Sequence, residues 1–141
     1  MRNWDGISRR HWLALVSAYT LATHSWAAPA LLPTTSALAQ DLAKAQASQR
    51  PLVVMVSLEG CPFCKIVREN YLVPMREREG LAVVQIDMRS KAGVTDFQGK
   101  LWTHDHLIRR WGIKIAPTVL FFGAGGAEVA ERMVGGYIPD F

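Results

Sequence analysis

Apolar residues along the chain fall into two kinds of pattern. Leu52-Val53-Val54-Met55-Val56-Ser57 and Leu81-Ala82-Val83-Val84-Gln85-Ile86-Asp87 are short, nearly continuous apolar runs, which is how strands buried on both faces of a sheet read. Between them the period changes. From Pro62 onward Ile66, Val67, Tyr71 and Met75 recur at three- and four-residue steps, with Lys65, Arg68, Glu69 and Arg76 turned outward. This predicts a helix that Pro74 kinks or interrupts and Gly80 closes. Strand, helix, strand makes a parallel crossover unit, right-handed in nearly all cases.

The flanks extend the same alternation. Asp41 to Gln49 are good helix formers opened by an acid, and Arg50-Pro51 ends them, because the residue before a proline is driven out of the helical region. Arg89 to Trp102 is polar and glycine-bearing and reads as an irregular connection. Thr103 is placed to cap a helix from His104 to Trp111, with Gly112 as its stop. Thr118-Val119-Leu120-Phe121-Phe122, the turn Gly123-Ala124-Gly125-Gly126 and a strand from Ala127 to Val134 then form a hairpin. The pattern as a whole predicts one α/β domain with a central mixed sheet between helices.

Composition narrows this picture rather than changing it. Half of the 141 residues are apolar and the net charge is +4, which excludes a disordered chain. Residues 1–39 carry three arginines against Asp5, and the rest of the chain holds thirteen basic and eleven acidic residues. A body at +2 gives no footing for nucleic-acid binding.

The first 39 residues read as an export signal, with a basic start, an apolar stretch from Trp12 and small residues before the body. Ala37-Leu38-Ala39 before Gln40 fits the small-x-small cleavage pattern, and Ala27-Ala28-Pro29-Ala30 offers a second cleavage region. Ser8-Arg9-Arg10-His11-Trp12-Leu13 resembles a twin-arginine signal, with Trp12 where phenylalanine is usual, so both the twin-arginine and the general secretory routes stay open. The alternative is an uncleaved anchor through residues 12–32, long enough to span a bilayer but interrupted by His24, Ser25 and Pro29. The expected location is the periplasm, where disulfides form and persist.

Location decides how the two cysteines are read. Cys61-Pro62-Phe63-Cys64 lies where a buried strand gives way to a helix. At a helix start the unpaired N–H groups and the dipole favour a thiolate, which lowers the pKa of the first cysteine and makes it the nucleophile. The second cysteine, one turn further in, can resolve a mixed disulfide made by the first. The competing readings are a metal site and two inert thiols. Structural zinc needs four ligands, and His104 and His106, two apart on a helix, point about 200° from each other. A soft cation such as Cu(I) held by Cys61 and Cys64, with Met55 or a histidine nearby, is the alternative from another function class. No resident metal or cofactor is expected for the dithiol reading.

With Cys61-Pro62-Phe63-Cys64 at a strand-to-helix junction and Ile115-Ala116-Pro117-Thr118 opening a hairpin about 50 residues later, residues 40–141 resemble the thioredoxin superfamily. The stretch Val94 to Lys100 leading into the Trp102–Trp111 helix is similar to exported bacterial thioredoxin-like proteins, including those that accompany periplasmic sulfur oxidation. The resemblance implies a three-layer sandwich and a thiol-disulfide oxidoreductase with Cys61 and Cys64 catalytic. It also implies a cis Pro117 that turns the backbone of Ala116 toward an extended substrate, and a Gly135-Gly136 pair near the substrate groove. The implied partners are exported proteins bearing disulfides or dithiols and a membrane or periplasmic redox partner.

Three departures qualify the resemblance. Met55 stands where many thioredoxins carry a buried acid, leaving water, Glu59 or Lys65 to serve proton transfer at Cys64. Phe63 brings no charge or donor to the dipeptide between the cysteines, which tilts the expectation toward reductase or isomerase rather than strong oxidant. The chain ends at Tyr137-Ile138-Pro139-Asp140-Phe141, an apparent helix entry, so the C-terminal helix of the fold is expected to be missing. That raises the further alternative of an inactive truncated fragment. Removing 39 of the 141 residues leaves 102, a marginal length for the domain. Trp102 and Trp111 are expected to pack rather than bind substrate.

Overall fold

The computed structural model describes residues 31–136. The basic start and apolar stretch of the expected leader and the closing Tyr137–Phe141 segment lie outside them. Strand β1 (Leu52–Ser57) is buried at every position and occupies an interior place in the sheet. It runs parallel to β2 (Val83–Asp87) and antiparallel to β5 (Thr118–Phe122). The two-residue β6 (Met133–Val134) completes the order β2-β1-β5-β6.

Alternation along β1 divides the core in two. Leu52, Val54 and Val56 face a cluster with Val84, Ile86, Leu120 and Phe122, covered by α1 (Leu38–Ala47) and α4 (His104–Arg110). Val53 and Met55 face the other side, with Val83, Val119, Cys64, Leu72 and Val73. That face is covered by α2 (Pro62–Val67), a π-helical turn (Arg68–Leu72) and α3 (Val73–Glu79). Helices on both faces of a mixed sheet make the expected three-layer sandwich.

Four local expectations are corrected. Helix α1 begins at Leu38, three residues ahead of the acid expected to open it, and buries Leu38, Leu42 and Ala45 as one stripe. Ala37 has no capping side chain; instead Thr35 Oγ1 donates to the Asp41 carboxylate at 2.5 Å. The segment before it adds to the sheet edge: Gln85 N donates to Pro33 O at 2.9 Å and Thr35 N to Gln85 O at 3.0 Å. Residues 31–37, read as the end of a leader, therefore pack as part of the domain, with Leu32 in the core.

Within the supposedly irregular connection, β3 (Gly93–Thr95) and β4 (Leu101–Thr103) form a small separate hairpin. Asp96 holds its turn, accepting from the N–H groups of Gln98 and Lys100 and from Trp102 Nε1. The last strand is shorter than expected. Ala124–Gly126 form a 3₁₀ turn and Glu128 makes a single bridge to Phe122 before β6 begins.

The fourth correction concerns the crossover helix. Ile66, Tyr71 and Met75, expected to face inward, remain about 40% exposed, whereas Cys64, Leu72 and Val73 are buried. Cys64 and Leu72 are eight residues apart, and at 100° per residue an α-helix would set them 80° apart. The π turn absorbs one extra residue, which brings both onto the sheet. Pro74 sits just beyond the π turn of a helix that runs without a gap from Pro62 to Glu79, and as it has no N–H the helical ladder is interrupted there.

Candidate active site

Strand β1 delivers the chain to Ser57, and a loop with Gly60 at φ +73° turns it into α2. Glycine reaches that left-handed conformation without the clash a Cβ would bring. Cys61 is the N-cap of α2 and Pro62 its first residue, a position suited to a ring that lacks an N–H. Cys61 and Cys64 form a disulfide. Cys61 is partly exposed and Cys64 is fully buried against Met55, Leu72 and Val73. The Cys64 N–H points at Cys61 Sγ, 3.2 Å away, the contact that would hold a thiolate there after reduction.

The loop before β5 comes up beside this sulfur. The Ala116–Pro117 peptide is cis, and Ala116 O lies 3.9 Å from Cys61 Sγ. Thr118 Oγ1 donates to Ile115 O at 2.7 Å and Gly135 N to Pro117 O at 2.8 Å, which fixes the loop from both sides. Phe63 is 47% exposed and Ile115 53%. A Cβ on Gly136 would come within 3.0 Å of the Phe63 ring, so the glycine leaves that ring its place. The structure thus brings Cys61, Pro62, Phe63, Cys64, Ala116 and Pro117 together around one sulfur.

It does not bring the other candidates there. Both ring nitrogens of the buried His104 are engaged with backbone: Nδ1 accepts from Asp87 N at 3.2 Å and Nε2 lies 3.1 Å from Thr35 O. His104 thereby ties the N-terminal segment to β2, while His106 is exposed. Glu59 and Lys65 are exposed beside the site, and Met55 is buried beneath it. Trp111 packs on Phe122 with ring centroids 5.3 Å apart.

A group of polar residues that the sequence pattern hid inside apolar runs lies next to Cys61. Ser57, Gln85 and Asp87 share one face, because Met55 pairs with Gln85 and Ser57 with Asp87 across β1 and β2. Arg68 reaches over them from the helix, donating from Nε to Gln85 Oε1 at 3.0 Å and from Nη2 to Ser57 Oγ at 2.9 Å. Gln85 in turn donates to Asp87 Oδ1 at 2.7 Å. These side chains line a groove of about 1160 Å³ that opens at Cys61.

Comparison with known proteins agrees with this geometry. The model of the thioredoxin-like domain family matches residues 38–140. The chain belongs to the thioredoxin-like family. Its fold is similar to that of a poplar thioredoxin h (TM-score 0.52, 20% identity, 75% of this chain and 87% of that one). It is equally similar to a protein described as DsbH oxidoreductase (TM-score 0.52, 18% identity, 79% and 78% covered). A thioredoxin of Nicotiana alata superposes with a TM-score of 0.50 at 18% identity over 78% of this chain and 88% of that one. A search of curated proteins finds no match. With the family's fold and its paired cysteines in place, the protein is a thiol-disulfide oxidoreductase, and thioredoxin-like oxidoreductases act on disulfide-bearing proteins.

Proposed function

We propose that the protein is an exported thioredoxin-like enzyme that reduces or isomerises disulfides of other exported proteins. The observation that carries the mechanism is the asymmetry of the pair, with Cys61 at the surface beside Ala116 and Cys64 fully buried behind it. Reduced Cys61, as thiolate, attacks one sulfur of a substrate disulfide, forming a mixed disulfide and expelling the other substrate sulfur as a thiolate. Cys64, deprotonated in its turn, attacks Cys61 Sγ, releases the first substrate sulfur and restores the Cys61–Cys64 disulfide. Two electrons pass to the substrate, and the enzyme's two thiol protons end on the substrate thiols.

The uncharged Phe63 supports the reducing direction, since it gives the thiolate no added stabilisation. Equilibration of the cysteine pair in glutathione buffers of graded potential tests it. A value nearer −270 mV, the poise of a reducing thioredoxin, is expected; one nearer −120 mV, that of a strong oxidant, would reverse the direction.

Export is supported by the sequence of the leader, and the packing of residues 32–38 favours the upstream cleavage region. Ala28-Pro29-Ala30 gives small residues at both required positions and leaves Leu31 as the first residue, whereas cutting after Ala39 divides α1. N-terminal sequencing of the exported product decides this. A product beginning at Leu31 is expected, and one beginning at Gln40 would refute the assignment.

A further inference from the structure

We propose that the groove beside Cys61 is a binding subsite for an anionic group, a carboxylate carried on the leaving half of the substrate disulfide, and that Arg68 recognises it. The proposal rests on the oxidoreductase reading and extends it to substrate choice.

Cys61 stands between two surfaces. On one side lies the Ala116 carbonyl, 3.9 Å from Sγ. The groove lies on another, and none of its lining residues comes from the Ile115–Thr118 loop. In a disulfide displacement the attacking, central and leaving sulfurs lie close to one line, so the two halves of the substrate leave Cys61 in different directions. A segment held against Ala116 directs the other half into the groove. As the Cys61 thiolate bonds to the near sulfur, the substrate S–S bond breaks and its electron pair departs on the far sulfur. That thiolate takes its proton from solvent.

The groove is built to orient one cation. Arg68 spends Nε and Nη2 on two neutral acceptors, Gln85 and Ser57, and Ser57 is itself buried. Gln85 is held oxygen-first toward Arg68 because its amide nitrogen donates to Asp87. That bond also engages Asp87 Oδ1, and among the described residues Arg68 forms no ion pair. Nη1 makes no hydrogen bond among the described residues, so the guanidinium is held in place with donors to spare. Arg68 is only partly buried, so its remaining donors stay open to a carboxylate entering the groove. Other charges line the groove in equal number: Lys65 and Arg89 are exposed, as is Glu59, and Glu69 is half-buried. Selectivity therefore rests on the directed guanidinium rather than on a general positive field.

The test uses the reduced full chain with two small symmetrical disulfides of opposite charge, the dianion 5,5′-dithiobis(2-nitrobenzoate) and the dication cystamine. Rates are normalised to those of a free model thiol. The unaltered protein should favour the dianion. Arg68→Gln should slow the dianion about tenfold, the size of one lost charge-assisted hydrogen bond at a half-exposed site, and leave cystamine within about twofold. Arg68→Lys should recover only part of the preference, lacking the fork. Equal losses for both probes in Arg68→Gln would mean that Arg68 only braces the helix on the sheet, and would overturn the proposal. Absence of any charge preference in the unaltered protein would overturn it without recourse to a variant. Failure of that protein to exchange with either probe would instead remove the oxidoreductase reading.

Discussion

Leu38 offers a direct measure of where the domain begins. It is the first residue of α1 and fully buried in the core cluster that holds Leu42, Val94 and Leu107. Truncating a buried leucine to alanine loses transfer free energy and leaves a cavity, together about 3 kcal/mol. For a domain of roughly 100 residues each kcal/mol moves the melting temperature by about 4 °C, so Leu38→Ala should melt about 12 °C lower. Urea unfolding should show the same loss with an unchanged m value. A chain beginning at Gln40 loses more, because Leu32 and the hydrogen bonds of Pro33, Thr35 and Ser36 to Gln85 and Thr95 go with Leu38. The comparison is with a chain beginning at Leu31. If Leu38→Ala costs under about 1 kcal/mol, below the usual range for a core leucine, residues 31–39 are not part of the cooperative unit. A Gln40 chain that melts alongside the Leu31 chain would say the same.

Four further predictions address the site and its supports. Cys64→Ser should accumulate mixed disulfides through Cys61, seen as adducts on non-reducing gels, whereas Cys61→Ser should trap none; adducts from both would contradict the assigned order of attack. Gly136→Val should displace the Phe63 ring, since even a Cβ there approaches to 3.0 Å, raising KM for a protein disulfide while cystamine reduction is unaffected. Gly126→Ala places a Cβ 2.3 Å from the Phe97 ring at φ +78° and should cost about 2 kcal/mol, read from denaturant midpoints. Burial raises the Asp96 pKa, but the hydrogen bonds from Trp102, Lys100 and Gln98 and the charge of Arg110 outweigh it, leaving the carboxyl below its usual 3.8. A lowered folded-state pKa stabilises above 3.8 and is lost as the pH falls toward the folded value. Asp96→Ala should therefore cost about 1 kcal/mol at pH 7, with the gap to the unaltered protein closing only below pH 3.8; a gap constant down to pH 2 would contradict this.

How much of this was legible in the sequence depended on whether the signal was local. The buried β1 run, the Thr103 cap, whose Oγ1 accepts from His106 N, and the Gly112 stop at φ +71° are single-element features. The start of α1 was not legible, because Ala37-Leu38-Ala39 satisfies a protease pattern and a helix pattern alike, and no side chain caps it, its entry being braced instead by a Thr35–Asp41 contact across six residues. Strands β3 and β4 are three residues each and bury only Val94, too little for periodicity to register. The paired cysteines were legible from their spacing and position. Ser57, Gln85 and Asp87 were not, since each reads as a polar blemish in an apolar run until the β1–β2 register sets them side by side. Arg68 read as an outward residue because the expected helix face assumed an unbroken α repeat.

That broken repeat gives the chain length of the crossover helix a discrete meaning. With Leu72 and Val73 seated on the sheet, removing a single residue from the Arg68–Leu72 turn would restore an ordinary helix and leave everything ahead of it facing as before, whereas straightening the turn with all its residues kept would swing that segment by about 100°. Cys64 would turn off its bed against Met55 and Arg68 off its bridge to Ser57 in one motion, while the sheet itself stayed intact. Nucleophile support and substrate selection are thus geared to the same rotation. Side-chain exchanges along this helix can retune each of them separately, but loss of the π turn without loss of a residue moves both together.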